Sequence, residues 1–178
     1  MLTIFLRRLA GAALLDAATY EEVEADRTAT PQAVAVVLLS SLAAGVGLSG
    51  SRDAAATLTF VALASLLALV AWMTFALIAL QVGSGPLASP ATRVDLGELL
   101  RSLGFAAAPG LLQVFALFTP APLIASALAF AWTMAASVVA VRQALDLRST
   151  KRAFAVCLVA WGLPLAIAAT LATAVVGD

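Results

Sequence analysis

The polar positions of this chain gather into short islands, and the stretches between them are apolar over lengths that suit a bilayer. Five such stretches predict five transmembrane helices. The first covers residues 31–48, with Thr30 as its cap and Pro31 at its first helical position. At 1.5 Å per residue it reaches about 27 Å, just enough for a hydrocarbon core of about 30 Å. Ser41 and Gly45 give it a small-residue face for close helix contact. A polar turn is expected at residues 47–53. The second stretch, 54–82, would reach about 43 Å, so it has to tilt or project beyond the lipid. Ala64, Ala68 and Ala71 give it a small-residue face of its own.

Gly83, Gly85, Pro86 and Pro90 interrupt the pattern, and residues 94–101 (VDLGELLR) read as a short amphipathic lead-in. Residues 102–141 then carry no charge at all. One helix cannot use that length, so the expectation is a hairpin of 103–118 and 123–141 that turns at Pro120 and Pro122. Pro109 should kink the third helix. A re-entrant third segment is the alternative for so short a stretch. Ser149 or Thr150 can cap the fifth helix, 153–176, which Gly162 and Pro164 are placed to bend.

Before these five helices, residues 1–30 form a unit of their own. Residues 1–15 are apolar, with Arg7 and Arg8 inside the run rather than ahead of it, unlike a cleavable signal peptide. Leu2, Phe5, Leu6, Leu9 and Ala13 share a helical stripe, which predicts a short helix in the membrane interface with its arginines at headgroup level. Asp16 can cap a second short helix, residues 17–27. Its YEEVEADR stretch holds four carboxylates, Glu21, Glu22, Glu24 and Asp26. Glu24 can pair with Arg27 at i, i+3, whereas Glu22 and Asp26 stand at i, i+4, where like charges repel unless a cation intervenes.

Composition narrows the function more by exclusion than by assignment. The chain is 63% hydrophobic and 11% charged, which places it in a bilayer as an all-α polytopic membrane protein. Net charge is zero with dispersed basic residues, unlike a nucleic-acid binder. Histidine is absent and Cys157 is the single cysteine, which removes His-ligated cofactors, disulfides and His-dependent triads. Cys157 itself reads as a small buried hydrophobe. A hard cation on Glu21, Glu22, Glu24 and Asp26 is conceivable, but their spacing matches no recognised loop. No catalytic, metal or cofactor residue is assigned. The helices lack a central charge of the kind that coupled transporters use, and Gln113 is their largest polar side chain.

With five helices, Arg7, Arg8, Arg27, Arg93, Arg101, Arg142, Arg148, Lys151 and Arg152 fall on one side and Arg52 alone on the other. The positive-inside rule then puts the N-terminus in the cytoplasm and the C-terminus outside. It gathers Tyr20, Glu21, Glu22, Glu24, Asp26, Arg101, Arg142, Asp146 and Arg152 into one cytoplasmic charge cluster. Glu22 and Asp26 are expected to meet Arg101, Arg142 or Arg152. Arg142 and Asp146 are spaced to pair on a helix.

Three motifs resemble the bacterial Yip-domain proteins, relatives of the eukaryotic Rab/Ypt-interacting membrane proteins. They are residues 20–26 (YEEVEAD), residues 101–110 (RSLGFAAAPG) and residues 141–146 (VRQALD), in that order. The resemblance covers about residues 14–161. It implies five spans, a cytoplasmic N-terminus, the bacterial inner membrane and association within it, and it supplies no catalytic residue. The chain departs from the eukaryotic members in lacking a long cytoplasmic N-terminal region. The expected function is that of a non-enzymatic organiser or accessory subunit, whose partners are lipids and either its own copies or other membrane proteins. The alternative is a channel or transporter for a small solute or ion. Five spans make one direct prediction. In a Cys157→Ala background, Asp178→Cys should react with an impermeant maleimide from outside the cell, and labelling only from the cytoplasm would remove one span from the count.

Overall fold

The computed structural model describes residues 2–47, 54–85 and 95–176, with the backbone alone for residues 54, 165 and 167–176. Of the turn expected at 47–53, Gly47 is the last residue of α3, while residues 48–53 with Arg52, the segment containing Pro86, Pro90 and Arg93, and the terminal Gly177 and Asp178 lie outside the described residues. Every described element is helical. In order these are α1 (Leu2–Ala13), α2 (Ala17–Ala25), a 3₁₀ turn (Arg27–Ala29), α3 (Thr30–Gly47), α4 (Ala54–Ser84), α5 (Leu96–Ala106), a 3₁₀ segment (Ala108–Phe118), α6 (Pro122–Ala144) and α7 (Thr150–Val176). Among the described residues, four stretches are long and apolar enough to cross a membrane: Arg27–Gly47, Ala55–Ser84, Leu96–Phe118 and Pro122–Ala144. Their outward surfaces carry exposed leucines and aromatics, such as Leu67, Phe115, Phe118, Leu123 and Leu128, as a bilayer-facing surface would.

The start of α3 differs in detail from the expectation. Thr30 is already helical, and the capping role falls to Asp26, whose carboxylate accepts from the Thr28 N–H at 2.9 Å and the Thr28 hydroxyl at 2.6 Å. From there α3 uses two faces. On one, Ser41 Oγ meets Ser65 Oγ at 3.0 Å, and a Cβ added to Gly45 would lie 2.9 Å from Val61 Cγ2. This is the predicted Ser41/Gly45 contact, made with α4. On the other, Ala33, Ser40 and Gly47 recur every seven residues and meet Gly104, Gly110 and the Gln113 carbonyl in the same order. The two segments therefore run parallel here, so close that a Cβ on Gly104 would sit 2.6 Å from that of Ala33.

The third segment is also organised differently. Residues 96–101 are not a separate lead-in, because α5 continues unbroken to Ala106. Pro109 then does more than kink the helix. It has no N–H to offer the residue 105 carbonyl, and its ring crowds that carbonyl. The backbone tightens instead to i→i−3 bonds, Ala107 N–H to Gly104 O at 3.2 Å and Gly110 N–H to Ala107 O at 2.9 Å, and stays 3₁₀ to Phe118. A 3₁₀ helix rises about 2.0 Å per residue. Residues 103–118, about 24 Å as an α-helix, thereby gain several ångströms and approach the ~30 Å of a hydrocarbon core. The reversal at Thr119–Ala121 leads into α6 with Pro122 in its first turn, as the double proline predicts.

α4 runs through Gly83 to Ser84, and its inner face carries Val61, Phe75, Ala76 and Ala79. Ala64 and Ala68 lie partly on it, while Ala71 faces outward, contrary to the expected stripe. The Trp72 indole N–H donates to the Leu100 carbonyl at 3.2 Å, tying α4 to α5. α7 packs on α4 and α6, where Trp161 wedges edge-on between Phe75 and Phe130 at 5.3 and 5.5 Å. The Ser149 carbonyl accepts from the Arg152 and Ala153 N–H groups at the start of α7, and Pro164 lies inside that helix. Gly104→Val should separate α3 from α5 and cost about 1–3 kcal/mol, a typical overpacking penalty. The thermal unfolding midpoint in detergent would fall, whereas Gly162→Ala, with nothing within 4 Å, should leave it level or higher.

Candidate functional site

The acidic motif folds into the site through a tight helical hairpin. α1 ends in a Schellman turn, with Leu15 N–H on Ala12 O at 3.1 Å and Asp16 N–H on Gly11 O at 3.0 Å. Leu15 occupies the left-handed position at φ 63°, where glycine is usual. Asp16 then caps α2 as expected, accepting from the Ala18 N–H at 3.3 Å and the Thr19 hydroxyl at 2.7 Å. Gly11 lets Thr19 pack directly on α1. Tyr20 is fully buried, and its hydroxyl donates to the Ala12 carbonyl at 2.9 Å. Burial pushes the phenol well above its ordinary pKa.

The hairpin overturns the expected pairing of Glu22 and Asp26. Their cation is not Arg101, Arg142 or Arg152. Arg8 is buried and bridges both acids, with Nε on Glu22 at 2.9 Å and a terminal nitrogen on Asp26 at 2.7 Å. Its third donor reaches Gln32 Oε1 at 3.2 Å. Arg7 joins from the exposed side, 2.6 Å from Glu22. The Arg7 guanidinium, and after it Arg8, lowers the Glu22 carboxyl from its usual range. The Thr28 hydroxyl and Arg8 bring Asp26 down to about 2. Glu24 and Arg27, predicted to pair, are not among the ion pairs of the described residues.

Arg101 has a different task. Its Nε donates to the carbonyls of Val23 at 3.1 Å and Glu24 at 3.0 Å, and a terminal nitrogen donates to Glu24 O as well. A buried cation thus closes the C-terminal end of α2, where helix carbonyls lack partners and the macrodipole is negative.

Beside this contact lies a cleft of about 530 Å³, lined by Glu21, Glu24, Glu98, Arg142, Gln143, Asp146 and Arg148 with Ala25 and Leu147. Gln143 Nε2 donates to Glu21 Oε1 at 2.7 Å and ties α6 to α2. Asp146 is not helical. α6 ends at Ala144 in a second Schellman turn, with Asp146 N–H on Gln143 O and Leu147 N–H on Arg142 O, both at 2.9 Å. Asp146 holds the left-handed position at φ 48°, so the i, i+4 pair expected with Arg142 does not form. Burial first, then the negative charges of Glu98 and Asp146, raise Glu24 to about 7, against the pull of Arg101.

The structure thus brings together Glu21, Glu24, Arg142 and Asp146 of the expected cluster. Tyr20 lies in the core, Arg101 on the α2 carbonyls, Glu22 and Asp26 on Arg8, and Arg152 is exposed outside the cleft lining. The four carboxylates of the motif therefore do not converge on one cation, and no group of three or more potential ligands arranged for a metal occurs among the described residues. Gln113 sits on the 3₁₀ segment against Gly47, remote from the cleft. Glu98, Gln143 and Arg148 escaped the sequence reading. Glu98 had one signal, as the residue whose side chain answers the Asp95 N–H at the start of α5. Comparison with family models, with curated proteins and with solved structures gives no match.

Arg8→Ala removes a buried side chain and its charge-assisted hydrogen bonds to Glu22 and Asp26, both still partly solvated, and should cost about 1–3 kcal/mol, read as a drop in the thermal midpoint. Arg7→Ala, at an exposed pair, should cost under about 1 kcal/mol. The pH profile should show Glu24, whose folded pKa of about 7 lies above its ordinary 4.5. The folded state then binds the proton more tightly, so this contribution is complete below about pH 4.5 and is lost as pH rises through 7. Glu24→Gln should flatten unfolding midpoints measured between pH 5 and 8 (~ the window of the shift).

Proposed function

We propose that this chain is a five-span protein of the bacterial inner membrane, similar to the Yip-domain class, that works without catalysis as an organiser or accessory subunit. The fifth span is α7, whose 27 residues reach about 40 Å. The N-terminus and the cleft face the cytoplasm, in keeping with the positive-inside bias, and the short N-terminal helix lies at that interface. The observation that carries the reading is the cleft itself. It presents acids and bases from α2, α5 and α6 at the charged end of the bundle, while the apolar spans pack through small residues. Open, mixed-charge surfaces of this kind select partners by complementarity and set encounter rates.

Purification in mild detergent followed by mass spectrometry of the intact assembly tests this. The expected result is a second protein in fixed stoichiometry, cross-linking to Glu21, Gln143 or Arg148 and released by Asp146→Arg. A homo-oligomer with nothing attached would overturn the accessory role. It would direct attention to solute flux in liposomes, with Gln113→Leu as the first variant.

A further inference from the structure

The exposed side of α1 is largely apolar, with Thr3 and the ion-paired Arg7 among its leucines. Leu2 and Leu6, one turn apart on the helix, and Leu14, in the turn just past its end, are 70%, 52% and 74% exposed. The adjoining side, with Phe5 and Leu9 of the same expected stripe, is committed to the protein. Phe5 meets Phe105 edge-on at 6.4 Å, and Leu9 packs on the core. The depth of the exposed leucines is set by one hydrogen bond, from the Trp132 indole N–H to the Ala13 carbonyl at 2.8 Å. Trp132 lies near the middle of Pro122–Ala144, one of the stretches able to cross a membrane. Ten residues of helix, about 15 Å, separate it from Arg142 at the cleft. The tip of the hairpin therefore sits well inward of the charged end, beside the exposed Leu128 and Phe130 of α6.

We propose that the α1–α2 hairpin is inserted in the cytoplasmic leaflet beneath the headgroups, with Leu2, Leu6 and Leu14 against lipid acyl chains. This deepens the interfacial placement above and rests on reading α6 as a span. The surface is continuous with the lipid-facing side of α6. The charges that would forbid insertion are answered within the hairpin, Arg7 and Arg8 by Glu22 and Asp26. Asp16, at the turn, takes donors from Ala18 and Thr19 and has to stay within reach of the headgroups. Asp16 and the Trp132 bond together bound the depth: Leu14 lies below the phosphates and no deeper than about 15 Å inward of Arg142.

Nitroxide labels at Leu14→Cys and Leu6→Cys, each in a Cys157→Ala background and reconstituted in liposomes, measure this depth through collisions with oxygen and with a water-soluble nickel chelate. Leu128→Cys and Glu21→Cys serve as lipid and water references. The expected result is that labels 14 and 6 collide with oxygen and are shielded from nickel, like label 128. Nickel access at 14 equal to that at 21, with 128 still shielded, would place the hairpin outside the leaflet and overturn the proposal. Shielding from both reagents would mean a protein covers these leucines and would overturn it equally. Nickel access at 128 as well would instead defeat the reading of α6 as a span.

Discussion

The contact on which the arrangement depends is the guanidinium of Arg101 at the end of α2. A nine-residue helix cannot sustain itself in isolation, and its last carbonyls have no partner within it. Next to an apolar bundle those carbonyls are costly to leave unanswered. Arg101 answers Val23 and Glu24 together, and because it is rooted in α5 it also fixes where α2 lies. With α2 held there, Tyr20 fills the core, Gln143 reaches Glu21, and Glu24 is drawn into a cleft already occupied by Glu98 and Asp146. The raised pKa of Glu24 is thus a by-product of capping. Arg101, the cation that pulls against the shift, is held by backbone carbonyls and offers the carboxylate only partial compensation.

Elsewhere the bundle is held by proximity. In a bilayer the hydrophobic effect does little to drive one apolar helix onto another, so close packing has to supply the attraction. Both faces of α3 show this: Ser41 and Gly45 toward α4, and Ala33, Ser40 and Gly47 toward α5 and the 3₁₀ segment. The seven-residue step from Ala33 to Ser40 on α3 is matched by a six-residue step from Gly104 to Gly110 across the seam, because part of the partner segment is 3₁₀ and rises faster per residue. Pro109 is the source of that mismatch and of the extra reach that suits so short a segment to a membrane.

Long-range apolar pattern was readable from the sequence, and so were local rules with a single answer. The hairpin at Pro120 and Pro122, the cap at Asp16 and the close face at Ser41 and Gly45 each follow from one or two residues and their neighbours. Pairings between charges were not readable. Arg8 and Arg101 are equally basic, and nothing in residue type says that one takes carboxylates and the other takes carbonyls. The choice follows from the turn at Leu15, which brings Arg8 back over α2, and a leucine there gives no warning of a left-handed residue. Asp146 misled for the same reason. Its spacing from Arg142 suits a helix that in fact ends two residues before it. Ala71 shows the limit of composition alone, since alanines tolerate either side of a lipid-facing helix.

The Arg101 contact has a consequence for the order in which the protein comes into being. Its partner carbonyls lie 77 and 78 residues earlier in the chain, and the Trp132 and Gln143 contacts to the same hairpin span 119 and 122. At roughly 5–20 residues per second of synthesis, α2 is finished about 4–16 s before the residue that holds it exists. During that interval the hairpin has only its internal bonds, Arg8 to Glu22 and Asp26 and Tyr20 to Ala12, to keep it together. Those bonds are all local, which is what a segment that must wait for the rest of its own protein requires.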